Sequence, residues 1–182
     1  MIKSKPYDLG IVMYEILRRE LERYVRANKL IPGNPSCTAP VFLVCTPRNK
    51  QNPQVKELGK HFNKNYQLES TMSLTELANQ IEMEFSIRMV CDFRKLNDIT
   101  VKKHYPLPLL RSILQRCYGM KYISNIDFKA GYLHFAIHQD SQKFFGIVTP
   151  WGVFVWLNLP FGPTNGPSDF QEFLDSIILW GS

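Results

Sequence analysis

Apolar side chains recur at helical intervals near the start of the chain. Ile11, Tyr14, Ile16, Leu17, Leu21, Tyr24 and Val25 predict an amphipathic helix over 11–29. Arg18, Arg19, Glu20, Glu22, Arg23 and Arg26 form its solvated face. Pro32, Gly33, Asn34 and Pro35 then stop the helix and make a loop. After Pro40, the run Val41–Val44 predicts a strand, and Ile87–Phe93 predicts a second that pairs back with it. Between them the chain turns polar. Residues 46–80 are rich in Asn, Gln, Lys and Glu and read as a surface excursion. One short helix is expected there over 73–81, signalled by Ser73 as N-cap with Glu76 three positions on.

In the second half, Pro106 and Pro108 bracket a loop, and Leu109–Cys117 has helical spacing. Strands are expected over Lys121–Asp127, Tyr132–His138 and Phe144–Val148. Pro150, Trp151 and Gly152 make a turn from which Val153–Leu157 returns as a hairpin partner. Pro160–Pro167 holds three prolines and two glycines and reads as a shaped loop. Phe170–Leu179 resumes helical spacing. Helices and strands mix without strict alternation, which predicts an α+β fold.

Composition narrows the class. The chain has 182 residues, 45% hydrophobic and 21% charged, which excludes disorder over its whole length. At roughly 150 residues per domain it holds one domain or a little more. No apolar run is long enough for a membrane span, and no signal-peptide core stands at the start. Cys37, Cys45, Cys91 and Cys117 form no metal-spaced pair, so zinc is not expected, and reduced thiols in an intracellular protein are. A net charge of +6 permits a nucleic-acid partner without requiring one.

Candidate chemistry begins at Ile126-Asp127-Phe128, where a carboxylate closes an apolar run. Such a group is costly unless it is paired or binds a metal, and hard cations such as Mg²⁺ take such oxygens together with substrate phosphates. Alone, it reads as a turn residue. Four ordered blocks change its weight: Thr38–Val44; Arg88-Met89-Val90-Cys91-Asp92-Phe93-Arg94-Lys95-Leu96-Asn97, running on to Pro108; Ile126–Tyr132; and Leu159-Pro160-Phe161-Gly162-Pro163-Thr164-Asn165-Gly166-Pro167, running on to Gln171. Together these blocks resemble the reverse transcriptases (RNA-directed DNA polymerases) of gypsy-type LTR retrotransposons and caulimovirus-like pararetroviruses. The resemblance covers the chain except the stretch near 47–85.

The resemblance implies a right-hand polymerase: fingers and a partial palm, an antiparallel sheet with packed helices, and no thumb. Fingers would span about 1–102 and 135–160, with a polar insertion at about 47–85; palm would span about 103–134 and 161–182. It further implies that Asp127 is a catalytic carboxylate and metal ligand, with the Phe128 backbone carbonyl as a second oxygen. Tyr132 would sit under the incoming sugar and reject a 2′-hydroxyl. Arg88 would contact the base and triphosphate, a role suited to a planar, always-charged guanidinium. Phe161 and Gly162 would pack the nucleotide and template. The implied reaction is template-directed transfer of dNTPs to a primer 3′-hydroxyl at a two-ion Mg²⁺ site, with an RNA or DNA template-primer as partner and the remainder of a Pol polyprotein as context.

Some family features are missing. The Tyr-x-Asp-Asp hairpin that supplies further carboxylates does not occur before Ser182. Read without gaps, Asp175 is a helix-surface residue; read with a deletion, Phe173-Leu174-Asp175-Ser176 occupies the motif. The usual fingertip lysine falls near Thr46, and Pro163 and Gly166 replace the more usual Leu and Ala. The expectation is a retroelement Pol fragment that is inactive alone. The alternatives are a nucleic-acid-binding remnant gripping phosphates through Arg88, Arg94, Lys95, Lys102 and Lys103, or a decayed open reading frame.

Overall fold

A computed structural model describes residues 2–49 and 72–180, with Val55, Leu58, Gly59 and Phe62 between them and the side chains of 178–180 excepted. The N-terminal apolar stripe makes α1 (Ile11–Arg26). Asn28 ends it in a left-handed backbone, φ 54°. The Asn28 N–H donates to the Val25 carbonyl at 3.0 Å and the Lys29 N–H to the Tyr24 carbonyl at 2.9 Å. These two bonds satisfy the last turn, with Asn standing where Gly is more usual.

α1 buries Val12, Met13, Ile16, Leu17 and Leu21, while Ile11 and Val25 are exposed. The buried arc is rotated from the expected stripe because the helix packs on the sheet and on a second helix, α2 (Leu74–Glu84). Glu20, expected on the solvated face, is buried and paired with Arg23. Burial pushes its carboxyl pKa up, against the pull of Arg23. Arg19 leaves solvent to reach Glu82 at 2.9 Å and Asn79 at 2.8 Å on α2.

The capping box at the start of α2 is present. Ser73 Oγ accepts from the Glu76 N–H at 3.3 Å, and Glu76 Oε2 accepts from the Ser73 N–H at 2.9 Å. The helix itself is not a surface excursion. Leu77, Ala78 and Ile81 bury against Val12, Met13, Ile16 and Phe85 as a second core. The rest of the polar stretch, between 50 and 71, lies outside the described residues apart from the four named above.

Among the described residues five strands form one sheet in the order β1-β5-β4-β2-β3. They are β1 (Leu30–Pro32), β2 (Thr38–Pro47), β3 (Phe85–Cys91), β4 (Gly146–Thr149) and β5 (Gly152–Trp156). The expected pairing of β2 with β3 is antiparallel, with Val41 opposite Cys91 and Val44 opposite Arg88. The β4–β5 hairpin also forms as expected. The sheet is mixed rather than wholly antiparallel, because Thr38–Pro40 runs parallel to Gly146–Val148. β2 changes partner after Pro40, pairing with β4 before it and with β3 from Val41 on. A proline inside a strand costs a ladder bond; here it sits at the hand-over between two ladders.

Two expected strands do not form. Lys121–Asp127 has no regular secondary structure and is exposed throughout. Tyr132–His138 opens as a 3₁₀ turn, Gly131–His134, and then makes a single bridge from Ala136 to Asn158. A strand needs a neighbour to take its N–H and C=O groups, and among the described residues none runs beside 121–127. Further along the described chain come α3 (Arg94–Ile99), α4 (Leu110–Cys117) and α5 (Gln139–Gln142), and none of them buries a residue. α6 (Gly166–Trp180) closes the described chain. The main core lies between α1 and the sheet, around Leu17, Leu21, Leu30, Val41, Ile147 and Trp156. Among the described residues no helix is long and apolar enough to cross a membrane.

Candidate active site

The loop 159–165 forms one wall of the site. Gly162 has φ 112°, and a Cβ there would stand 3.3 Å from the Cys91 carbonyl and 3.4 Å from the Phe93 ring. The position combines a left-handed backbone with close approach to β3, which glycine alone meets without strain. Its neighbour Phe161 is exposed and meets the Tyr132 ring edge-on at 5.0 Å. Tyr132 comes from the 3₁₀ turn, entered through Ala130 at φ 54°. Phe170 of α6 lies 5.2 Å from Tyr132 and fills the space beside Gly131, where a Cβ would come within 2.9 Å of its ring.

Asp127, Phe128, Tyr132, Phe161 and Phe170, with Leu174 and Ile177, thus surround one cleft of about 660 Å³. Asp127 is exposed. The Phe128 carbonyl accepts the Gly131 N–H at 3.2 Å, which fixes its direction. An aromatic trough with a carboxylate at its rim suits a flat, partly apolar ligand carrying a cation. Four expected site residues, Asp127, Phe128, Tyr132 and Phe161, are therefore brought together.

Three other expected residues lie outside the lining of this cleft. Arg88 is exposed on β3, opposite Val44. Asp175 accepts from the Tyr105 hydroxyl and the Gln171 amide, each at 2.8 Å. That bond raises the Tyr105 pKa. Asp175 therefore sits within α6, as the ungapped reading has it. Gly162 faces a second cleft, also of about 660 Å³, lined by Tyr7, Asp92, Phe93, Arg94 and Asn97. Among the described residues no three His, Cys, Asp or Glu side chains are grouped closely enough to hold a metal.

The second cleft contains Tyr7, Asp92 and Asn97, to which the sequence reading gave no role, beside Arg94, expected there only as a phosphate-gripping cation. Arg94 grips Asp92 with two bonds, 2.8 and 2.5 Å, and the Tyr7 hydroxyl donates to the same carboxylate at 2.7 Å. Arg94 and then Tyr7 hold the Asp92 carboxyl well below the usual range, and the bond to Asp92 raises the Tyr7 phenol. Lys103, counted among the phosphate-gripping cations, donates to Asp169 at 2.9 Å and to Glu172. Arg94 and Lys103 are thus paired within the chain. Asp92 and Asn97 lie inside a quoted block; Asp92, a carboxylate between Met89-Val90-Cys91 and Phe93, carries a signal that could have marked it, while Asn97 stands among charged neighbours and carries none.

Residues 82–180 match the family model described as reverse transcriptase (RNA-dependent DNA polymerase). A putative enzymatic polyprotein of Cassava vein mosaic virus is 38% identical over 91 residues, which is 50% of this chain and 14% of that polyprotein. The retrovirus-related Pol polyprotein from transposon 297 of Drosophila melanogaster is 33% identical over 91 residues, 50% of this chain and 9% of its own. Among solved structures, the foamy viral protease-reverse transcriptase in complex with an RNA/DNA hybrid superposes with a TM-score of 0.68 at 18% identity, over 97% of this chain and 19% of that one. The chain thus spans a small part of each relative. With the family model matching more than half of its length, this chain belongs to the reverse transcriptase family.

Proposed function

We propose that this chain is the fingers and partial palm of an RNA-directed DNA polymerase, and that the Asp127 cleft takes the incoming dNTP opposite a primer–template. The observation that carries this reading is the meeting of Asp127, Tyr132 and Phe161 on one cleft. The superposition on a reverse transcriptase described with an RNA/DNA hybrid supports nucleic acid as the partner. Reverse transcriptases are nucleotidyltransferases that use divalent metal ions, and Mg²⁺ is the ion proposed here.

Mg²⁺ is held by one or two carboxylates plus substrate phosphates. Asp127 and the Phe128 carbonyl fit that need for one ion. Among the described residues Asp127 is the only carboxylate lining this cleft, so those for a second ion would come from the remainder of a Pol polyprotein. Bound ions would neutralise the triphosphate and make the primer hydroxyl more acidic. The chain's own residues would do the rest. Tyr132, braced between Phe161 and Phe170, would floor the sugar and leave no room for a 2′-hydroxyl. Phe161 would pack the base. Arg88, exposed on β3, would reach the triphosphate from the fingers.

The test is formation of a ternary complex, which requires no chemistry. The chain is mixed with labelled primer–template, Mg²⁺ and either the correct or an incorrect next dNTP, then challenged with heparin. The correct dNTP is expected to stabilise the complex at least tenfold for the wild type and not for Asp127→Asn. Primer–template binding with no dNTP dependence would replace this reading with that of a non-catalytic nucleic-acid binder.

A further inference from the structure

The loop 159–165 is the wall shared by the two clefts. Phe161 faces the Asp127 side and Gly162 the Tyr7–Asp92 side. One side chain ties this wall to the fingers. Asn97, in α3, donates from Nδ2 to the Gly162 carbonyl at 2.9 Å and accepts at Oδ1 from the Thr164 N–H at 2.9 Å. Both ends of one amide are used, two residues apart on one loop. A carboxylate could keep the Thr164 contact but would set an anion against the Gly162 carbonyl. An aliphatic side chain could make neither bond. Asn165 mirrors the arrangement from within the loop, donating to the Val101 carbonyl at 2.9 Å and accepting the Lys103 N–H at 3.0 Å.

We infer that Asn97 is a positioning residue for the nucleotide site: it fixes the Gly162 peptide and so holds the Phe161 ring against Tyr132. It touches no ligand itself. The two bonded groups belong to the Gly162–Pro163 and Pro163–Thr164 peptides, so the effect reaches Phe161 through the backbone torsions of Gly162. Removing one member of a bond pair of this kind leaves the other groups unsatisfied and frees the loop to rotate. A misplacement of about 1 Å from a change remote from the reacting atoms can cost about 10²-fold in rate where a site orients its reactants. The inference rests on the Asp127 cleft being a nucleotide site.

Three proteins separate the possibilities: wild type, Asn97→Asp and Thr100→Ala. Thr100 Oγ1 donates to the Leu96 carbonyl at 2.7 Å within the same helical segment, not to the loop, so its loss reports what loosening α3 does alone. Amide hydrogen exchange over 159–166 and affinity for the correct dNTP in the ternary complex are measured for each. Asn97→Asp is expected to speed exchange across the loop, raise the dNTP Kd about tenfold and leave primer–template Kd within twofold; Thr100→Ala is expected to change neither the loop nor the dNTP Kd. A loosened loop with unchanged dNTP affinity overturns the inference and leaves the polymerase reading standing. An equal rise in dNTP Kd for both variants reduces Asn97 to a helix-stabilising residue. A wild-type chain indifferent to dNTP removes the polymerase reading, and this inference with it.

Discussion

The thiols show how far burial alone sets reactivity. Burial pushes the Cys91 thiol up to about 12 and the Cys45 thiol to about 11. The thiolate is the reacting form, so both are inert near neutral pH. Cys117 stands half-buried on a helix with no buried residue. Alkylation at pH 8 followed by mass mapping should label Cys117 first and leave Cys91 unlabelled until the protein unfolds. Asp92 makes a separate prediction about pH. Its folded pKa lies below the ordinary value, so the unfolded chain binds the proton more tightly. The stabilisation is then complete above the unfolded value of about 3.9 and is lost as pH falls from there through the folded value. Asp92→Asn should destabilise by about 1 kcal/mol at pH 7, a modest figure because solvent screens the Arg94 side of the pair. The gap between the two proteins should hold constant from pH 7 to 5 and narrow below about 4 in acid titrations of the melting temperature.

Among the elements, α2 carries more of the fold than its surroundings in sequence suggest. Leu77 is 2% exposed and faces Ile16 and Phe85 across the second core. Leu77→Ala should therefore cost about 2–5 kcal/mol in a denaturant melt, and Ser73→Ala about 1 kcal/mol through loss of the cap. A Leu77→Ala protein of wild-type stability would mean that α2 does not pack as described. The Ser73–Glu76 cap was legible because it is a local, four-residue chemical signal. Burial by α2 was not, because polar neighbours masked three apolar positions whose partners lie some sixty residues away in α1. Lys121–Asp127 failed the other way. Its apolar residues report a face suited to a neighbour, but strand geometry needs that neighbour's backbone, and none of the described strands supplies it. Tyr132–His138 was misread for a different reason. Ala130 in a left-handed conformation and the Phe170 ring against Gly131 impose a turn that no alternation of side chains reveals. The site was legible as a set of residues on ordered blocks. The link from Asn97 to the loop was not, because hydrogen bonds across sixty-five positions leave no periodic trace.

At the scale of the whole molecule, the cores sit around α1 and the sheet, and α4 with residues 118–128 lies outside them. Leu110 is 70% exposed, Leu114 61%, Tyr122 92% and Ile126 82%. So many large apolar side chains exposed along one stretch of chain are unusual for a monomer. The chain should bind a hydrophobic dye such as ANS strongly. Leu110→Lys with Leu114→Lys should cut that signal by about half while leaving the melting temperature within ~2 °C, because neither side chain is buried. A large fall in melting temperature would place α4 in a packed core instead. The partner change at Pro40 has a consequence for how the molecule comes apart. β1, β5 and β4 form one hydrogen-bonded ladder and β3 belongs to another, and the three parallel residues Thr38–Pro40 are the seam between them. Ile2 and Ser4 are stitched to Thr38 at that seam. Opening there would split the sheet into two rafts without breaking either, so the amide protons of β1, β4 and β5 should exchange independently of those of β3.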